Sequence, residues 1–177
     1  AIQAAFRPEL VRLRGAIAEM TEAGLLQDLE VHVVEGPDDY LFGEEKALLE
    51  VISGNLPLPR EAHYPPYELG LFATATSPNP ALVNNVETFS HVPGIIRGGA
   101  ASFRRLGTRD TPGTLLYTVS GDVQSPGVYE LEAGITLHRL FHEIGGGPLP
   151  GRTFKAALSG VSSGVITEDQ FDTRADF

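Results

Sequence analysis

Asp39-Tyr-Leu-Phe-Gly-Glu-Glu-Lys-Ala-Leu-Leu-Glu50 is the stretch on which the reading of this chain turns. After Gly43, the residues Glu44 through Ile52 place Leu48, Leu49 and Ile52 on one helical face, and the acidic first turn complements the positive end of the helix dipole. Upstream, Leu29 to Val34 gathers Val31, Val33 and Val34 and predicts a buried or half-buried strand, with Gly36-Pro37 turning the chain toward Tyr40. Strand, turn and helix in that order form the unit of a ligand-binding α/β crossover. A second helix start follows in Leu82-Val-Asn-Asn-Val-Glu-Thr88, where Asn84 or Asn85 can cap a helix running to about Arg97, with Pro93 a kink or break. Helix N-termini present unpaired N–H groups to an anion, while carboxylates repel phosphate and accept hydrogen bonds from ribose hydroxyls. A glycine, two carboxylates and an asparagine pair at two helix starts are nucleotide-site chemistry divided between two positions.

Taken alone, each group has a plainer reading. Gly43-Glu44-Glu45 is also a favourable helix start, and Asn84-Asn85 an ordinary N-cap. His138 and His142 stand four apart, a spacing able to bind one metal, but without an evident third ligand beyond Glu143 they read as a solvated helix face. Gly145-Gly-Gly147 lacks a following Lys-Ser/Thr and reads as a helix stop. Gly160-Val-Ser-Ser-Gly164 matches a hydrolase nucleophile elbow in letters only, because strand-like Val165-Ile-Thr167 follows and no histidine lies beyond His142.

The rest of the chain orders itself around these points. Pro8 opens a helix carrying Leu10, Leu13, Ile17 and Met20, which ends before Gly24. Gly54 to Pro80 is proline-rich and aperiodic, a long loop of the kind that is often functional. A short helical turn is expected around Ala101 to Leu106. Past Thr111-Pro-Gly-Thr114 the character changes to strands at Leu115–Ser120 and Gly127–Leu131, a helix with Leu137, Leu140, Phe141 and Ile144 on one face, and a strand at Phe154–Leu158. That succession is the layout of a small β-grasp module.

Composition narrows the function classes. A formal net charge of −10 disfavours nucleic acid and anionic membrane surfaces, since phosphates are held by clustered Lys and Arg. No apolar run approaches the roughly 20 residues that span a bilayer and no signal stretch opens the chain, so no direct membrane insertion and a cytoplasmic location are expected. With no cysteine, these residues can form neither disulfides nor Cys-ligated zinc or iron–sulfur sites.

Three motifs in order, Gly43-Glu-Glu-x-Ala-Leu-Leu-Glu50, Val83-Asn-Asn-Val-Glu-Thr88 and Val119-Ser-Gly-Asp-Val-x-x-Pro-Gly-Val-Tyr-Glu130, carry a resemblance over essentially all 177 residues. The chain resembles the flavin-binding subunit of bacterial NADH:quinone oxidoreductase, respiratory complex I, and its relatives in NAD-linked hydrogenases and formate dehydrogenases. The resemblance implies an α/β fold, with part of a Rossmann-like FMN-binding domain over residues 1–110 and a ubiquitin-like β-grasp, soluble-ligand-binding domain over 111–177. It implies an oxidoreductase that passes a hydride from NADH to FMN and electrons onward to iron–sulfur clusters. By the same resemblance Tyr40, Gly43, Glu44, Val83, Asn84 and Asn85 hold the cofactor, Glu44, Glu45 and Tyr67 meet NADH, and Glu87 and Thr88 are structural. No residue is a strict catalytic acid, base or nucleophile, and no metal site is expected in this chain. The cofactors are FMN and NAD, with a 4Fe-4S cluster only in the parent, and the partners are other subunits that place the protein at the cytoplasmic face of the membrane.

Two departures are visible. The family's glycine-rich stretch and its cysteine cluster are both missing, so the chain is expected to be a central piece of a longer subunit, inactive in isolation. Where relatives carry Lys-Pro-Pro-aromatic, this chain has Glu61-Ala-His-Tyr-Pro-Pro-Tyr67, with the cation gone. The alternative from another class is a non-catalytic scaffold, a subunit-docking module with a β-grasp and no cofactor.

Overall fold

Helix α1 (Arg7–Glu22) takes Pro8 in its first turn, where a missing N–H costs nothing. In the computed structural model it lies within the first of two compact units, Ala1–Asn85 and Val86–Phe177. The structure describes residues 1–59, 70–74, 76–160 and 164–175. Of the apolar stripe on α1 only Leu10 is buried, while Leu13 and Met20 remain exposed. Its polar side is tied down by Glu35, which accepts from both Arg7, at 3.2 Å, and Arg14. Such exposed pairs contribute at most about 1 kcal/mol each, so they orient the helix more than they stabilise it.

Strand β1 (Ile2–Gln3) pairs in parallel with β2 (Glu35–Gly36), and α1 makes the crossover between them. The strand expected over Leu29–Val34 therefore begins one residue after that range ends. Its valines have no ladder among the described residues, because β1 is only two residues long and reaches back no further than the Val34 carbonyl, which accepts from the Ile2 N–H at 3.0 Å. Phe42, 3% exposed, packs its ring on the backbone of Gly36, where any Cβ would overlap it. Glycine is required there by close approach. Phe42 joins Leu10, Ala47 and Leu49 in the buried set of this unit.

Helix α2 (Glu45–Ile52) follows a 3₁₀ turn, Tyr40–Gly43, and buries Ala47 and Leu49. Further on, bridges Gly70↔Pro80 and Thr74↔Ser77 fold the described end of the long loop back on itself. Phe72 in this fold has φ 55°, a left-handed conformation that costs a bulky residue about 1–3 kcal/mol.

In the second unit α3 (Val86–Gly98) runs through Pro93 rather than breaking there, and α4 (Ala100–Phe103) follows Gly99. Glu87 accepts from the Leu116 N–H at 2.8 Å, tying the start of α3 to β3, which is a structural role. Strands β3 (Thr114–Val119) and β4 (Gly127–Glu132) form an antiparallel hairpin in register Thr114↔Glu132 to Val119↔Gly127. Val119, Val123 and Leu140 centre the core, with Leu137, Phe141 and Phe154 packed against it. Residues Arg139–Ile144 form a π-helix rather than an α-helix, so Leu140 is buried while Leu137, Phe141 and Ile144 are half-buried. Strands β5 (Ala156–Ser159) and β6 (Gly164–Thr167) make a second antiparallel hairpin. Phe171, 2% exposed, closes the core against Phe141 and Phe154, with ring centroids 5.0 and 6.0 Å away. Its segment is laced to residues 134–138 by backbone bonds, among them His138 N–H to Phe171 O at 2.7 Å and Gly134 N–H to Ala175 O at 2.9 Å. No helix among the described residues is long and apolar enough to cross a membrane.

Candidate functional site

The turn at residues 40–45 is built from the backbone outward. Phe42 anchors it from below, and the Asp39 carbonyl accepts from Gln3 Nε2 at 3.2 Å, which fixes its entry. Glu44 leaves the 3₁₀ turn in an extended conformation, and its Oε2 accepts from the Ala47 N–H at 2.8 Å. This carboxylate is the N-cap of α2, so one of its oxygens is committed to the helix. Glu45, the first helical residue, is exposed. Gly43 is exposed as well, and a Cβ built there meets no atom within 4 Å. Tyr40 is 77% exposed. One turn thus presents a phenol ring, a bare backbone and an exposed carboxylate to solvent, above a buried phenylalanine.

The second station is the extended stretch leading into α3. Val83 is half-buried, Asn84 and Asn85 are exposed, and the helix opens at the residue after Asn85, as the N-cap reading requires. Both stations belong to the first unit. Tyr67 and the rest of Glu61-Ala-His-Tyr-Pro-Pro-Tyr67 lie outside the described residues.

The arrangement suits a ligand that is part planar ring and part polyhydroxyl. Open space over Gly43 admits a ring edge close to the backbone, Glu45 accepts from hydroxyls, and two asparagine amides both donate and accept. These are hydrogen-bonding types that pair with the hydroxyls of sugar and ribityl chains.

The remaining candidates resolve locally. The π-helix sets His138 almost directly over His142, and their rings stack with centroids 4.4 Å apart and planes at 22°. His142 also meets Phe154 edge-on at 5.1 Å, and Glu143 is paired with Arg139 at 3.2 Å. Among the described residues no group of three His, Cys, Asp or Glu side chains could hold a metal ion. Gly145 donates to the Leu140 carbonyl at 2.9 Å and Gly146 and Gly147 take positive φ, which is helix-stop geometry. Gly164 begins strand β6, so no helix follows the Gly-x-Ser-x-Gly letters, whose centre at 161–163 lies outside the described residues.

Sequence reasoning missed two features of this unit. Glu44 serves as a cap, which Ser, Thr, Asp or Asn would have signalled and glutamate does not. Phe72 takes a left-handed conformation, for which an aromatic residue carries no sequence signal.

Comparison with known proteins agrees with the motifs. The family described as the Nuo51 FMN-binding domain matches residues 1–94, and the SLBB domain matches residues 116–165. An F-type subunit of the NADH-quinone oxidoreductase of Rhizobium meliloti is 42% identical over 175 residues, covering 94% of this chain and 40% of its own length. The HndC subunit of the NADP-reducing hydrogenase of Solidesulfovibrio fructosivorans is 32% identical over 99% of this chain and 37% of its own length. The crystal structure of an NAD⁺-reducing [NiFe]-hydrogenase in the air-oxidized state superposes with a TM-score of 0.83 at 32% identity, over 100% of this chain and 30% of that one. The chain spans about 40% of the length of the curated relatives it matches. With more than half of its residues matched by one family model, the chain belongs to the Nuo51 FMN-binding domain family, and it carries part of that domain followed by an SLBB domain.

Proposed function

We propose that this chain forms part of the NADH-oxidising, FMN-binding subunit of an NADH:quinone oxidoreductase, with residues 1–110 contributing to the flavin and nucleotide site and 111–177 forming the β-grasp domain. The observation that carries the reading is the solvent-open backbone at Gly43, flanked by exposed Tyr40 and Glu45 at the head of α2, within the stretch matched by the FMN-binding family. When bound, FMN accepts a hydride from NADH and passes electrons on singly. The chain's own residues position the two ligands: Tyr40, Gly43, Glu44, Val83, Asn84 and Asn85 hold the flavin nucleotide, while Glu44, Glu45 and Tyr67 hold NADH. With one Glu44 oxygen capping α2, the other is left for the ligand, and Glu45 is the principal acceptor for nucleotide hydroxyls. Binding energy spent on orientation is the protein's contribution here, since the redox chemistry belongs to the cofactor. The 4Fe-4S cluster that receives the electrons and the partner subunits that hold the assembly at the cytoplasmic face of the membrane belong to the parent complex.

In the full-length subunit, Glu45→Gln should raise the KM for NADH by about one to two decades while flavin is retained, the cost of about 1.5–3 kcal/mol for one charged hydrogen bond. Asn85→Ala should do the reverse, lowering flavin occupancy with little effect on NADH affinity in the loaded fraction. Steady-state kinetics beside flavin content measured by absorbance checks both, and unchanged NADH kinetics in Glu45→Gln would sink this division of labour.

The scaffold reading is favoured by one observation, the absence of a lysine in the Glu61–Tyr67 run. Fluorescence titration of the full-length subunit with FMN separates the two, because a docking module without a cofactor shows no saturable binding.

A further inference from the structure

Carboxylates are spread through this chain, yet no Asp or Glu stands between Glu87 and Asp110. Four arginines fall in that interval, Arg97, Arg104, Arg105 and Arg109, although the chain as a whole carries a net charge of −10. All four are exposed, and among the described residues none of their guanidiniums is paired with a carboxylate. By contrast Arg7, Arg14, Arg139 and Arg152 each hold one. The second unit therefore presents a local cationic surface that its own acids leave unmatched.

That surface borders a cleft. Ser90, His91, Gly94, Ile95, Ser102 and Phe103 line an open space of about 240 Å³ between α3 and α4. The His91 ring meets Phe103 edge-on at 5.4 Å, and Phe103 is seated on Gly113, where any Cβ would overlap the ring. Arg105 donates to Ser102 Oγ at 2.8 Å, which holds a guanidinium beside a residue of the cleft wall. Helix α3 buries no side chain, and Val92, Ile96 and Leu106 are all exposed. Arginine interleaved with exposed aliphatics is the composition of a protein contact, whereas a nucleic-acid or membrane surface is held by a denser array of cations than four. Within a Debye length of about 8 Å it is this local charge, and not the distant excess of acid, that a docking surface meets.

We infer that the α3–α4 face, from Val92 to Arg109, docks an acidic face of a neighbouring subunit of the oxidoreductase, with one of that subunit's carboxylates entering the cleft to pair with Arg105. The arginines steer the encounter and fix its register, and Val92, Ile96 and Leu106 supply apolar area to bury. The inference rests on the reading of this chain as part of a multisubunit oxidoreductase, and adds to it the surface through which the chain assembles.

The test uses the full-length subunit and the purified assembly of the other subunits of its complex. Arg104→Glu combined with Arg105→Glu should raise the dissociation constant between them at least about tenfold at low salt, measured by surface plasmon resonance. That deficit should shrink as added salt screens the wild-type contact. NADH oxidation with ferricyanide as acceptor, which needs no partner, and the melting temperature should both be unchanged, so that a folding defect is read separately. Arg104→Lys combined with Arg105→Lys should keep most of the affinity. With the photoreactive residue benzoylphenylalanine in place of Leu106, irradiation of the assembled complex should join the chain to an Asp- and Glu-bearing segment of a different subunit. Equal affinity of the double reversal and the wild type overturns the inference, as do cross-links found only within the same chain, only to a second copy, or not at all. Binding of the subunit alone to phosphatidylglycerol vesicles, abolished by the double reversal, would mark a membrane surface and overturn it too. A wild-type subunit that neither oxidises NADH nor joins the assembly overturns the functional reading beneath it.

Discussion

Replacing Phe171 with alanine should lower the unfolding free energy by about 3–5 kcal/mol, the cost of removing a fully buried aromatic side chain and leaving a cavity behind. Phe171 is among the largest fully buried side chains of the described residues and touches the rings of both Phe141 and Phe154. Neither neighbour can collapse into the gap easily, because each is also held by the other at 6.1 Å. Urea unfolding read by circular dichroism gives the comparison. A midpoint shift worth less than about 1 kcal/mol at unchanged slope would show that Phe171 is not the keystone of this core.

Leu49→Ala is the corresponding expectation for the first unit. Leu49 is 2% exposed on the inner face of α2, beside Ala47, which is fully buried. A loss of about 2–5 kcal/mol is expected, and on the function proposed above, because α2 carries the Tyr40–Glu45 turn at its head, the flavin content of the full-length subunit should fall together with the unfolding midpoint. Flavin retention at full occupancy in a clearly destabilised variant would show that the turn is held by Phe42 and Gly36 independently of the helix behind it.

How far the sequence announced these features depends on whether the deciding interaction is local. Helix α2 was legible because its periodicity and acidic first turn are both contained in ten residues, and the start of α3 because asparagine is a strong cap. The FMN-binding and SLBB domains were legible from three motifs in order. The strand expected over Leu29–Val34 shares no residue with β2 (Glu35–Gly36), because valine content marks strand preference, whereas pairing is decided by where β1 can reach. The spacing of Leu137, Leu140, Phe141 and Ile144 is that of an α-helical face, so the π-helical hydrogen bonding of Arg139–Ile144 had no signature in it. Phe171 sits alone between polar residues in Asp169-Gln-Phe-Asp172, and only the backbone bonds to residues 134–138 reveal it as core. At the candidate site the same division holds. Residue types at the two helix starts were readable, while the capping bond of Glu44 and the left-handed Phe72 depend on backbone geometry that composition does not encode.

The β5–β6 hairpin has a consequence for behaviour in solution. Leu158 and Val165 face each other across the ladder with 69% and 63% of their surface in water, and a two-stranded sheet leaves outer backbone groups open to pairing. The described strands, Ala156–Ser159 and Gly164–Thr167, carry no charged side chain to discourage two copies from adding edge to edge. What does is the net charge of −10 spread over the chain, which makes every close approach between copies repulsive. The guard is long-range and ionic, so it weakens within a Debye length of about 8 Å at physiological salt and fades as acid neutralises the carboxylates. Colloidal stability in this chain is therefore set by ionic strength and acidity, through a pool of carboxylates of which some, such as Glu35, Glu44 and Glu87, also hold the fold.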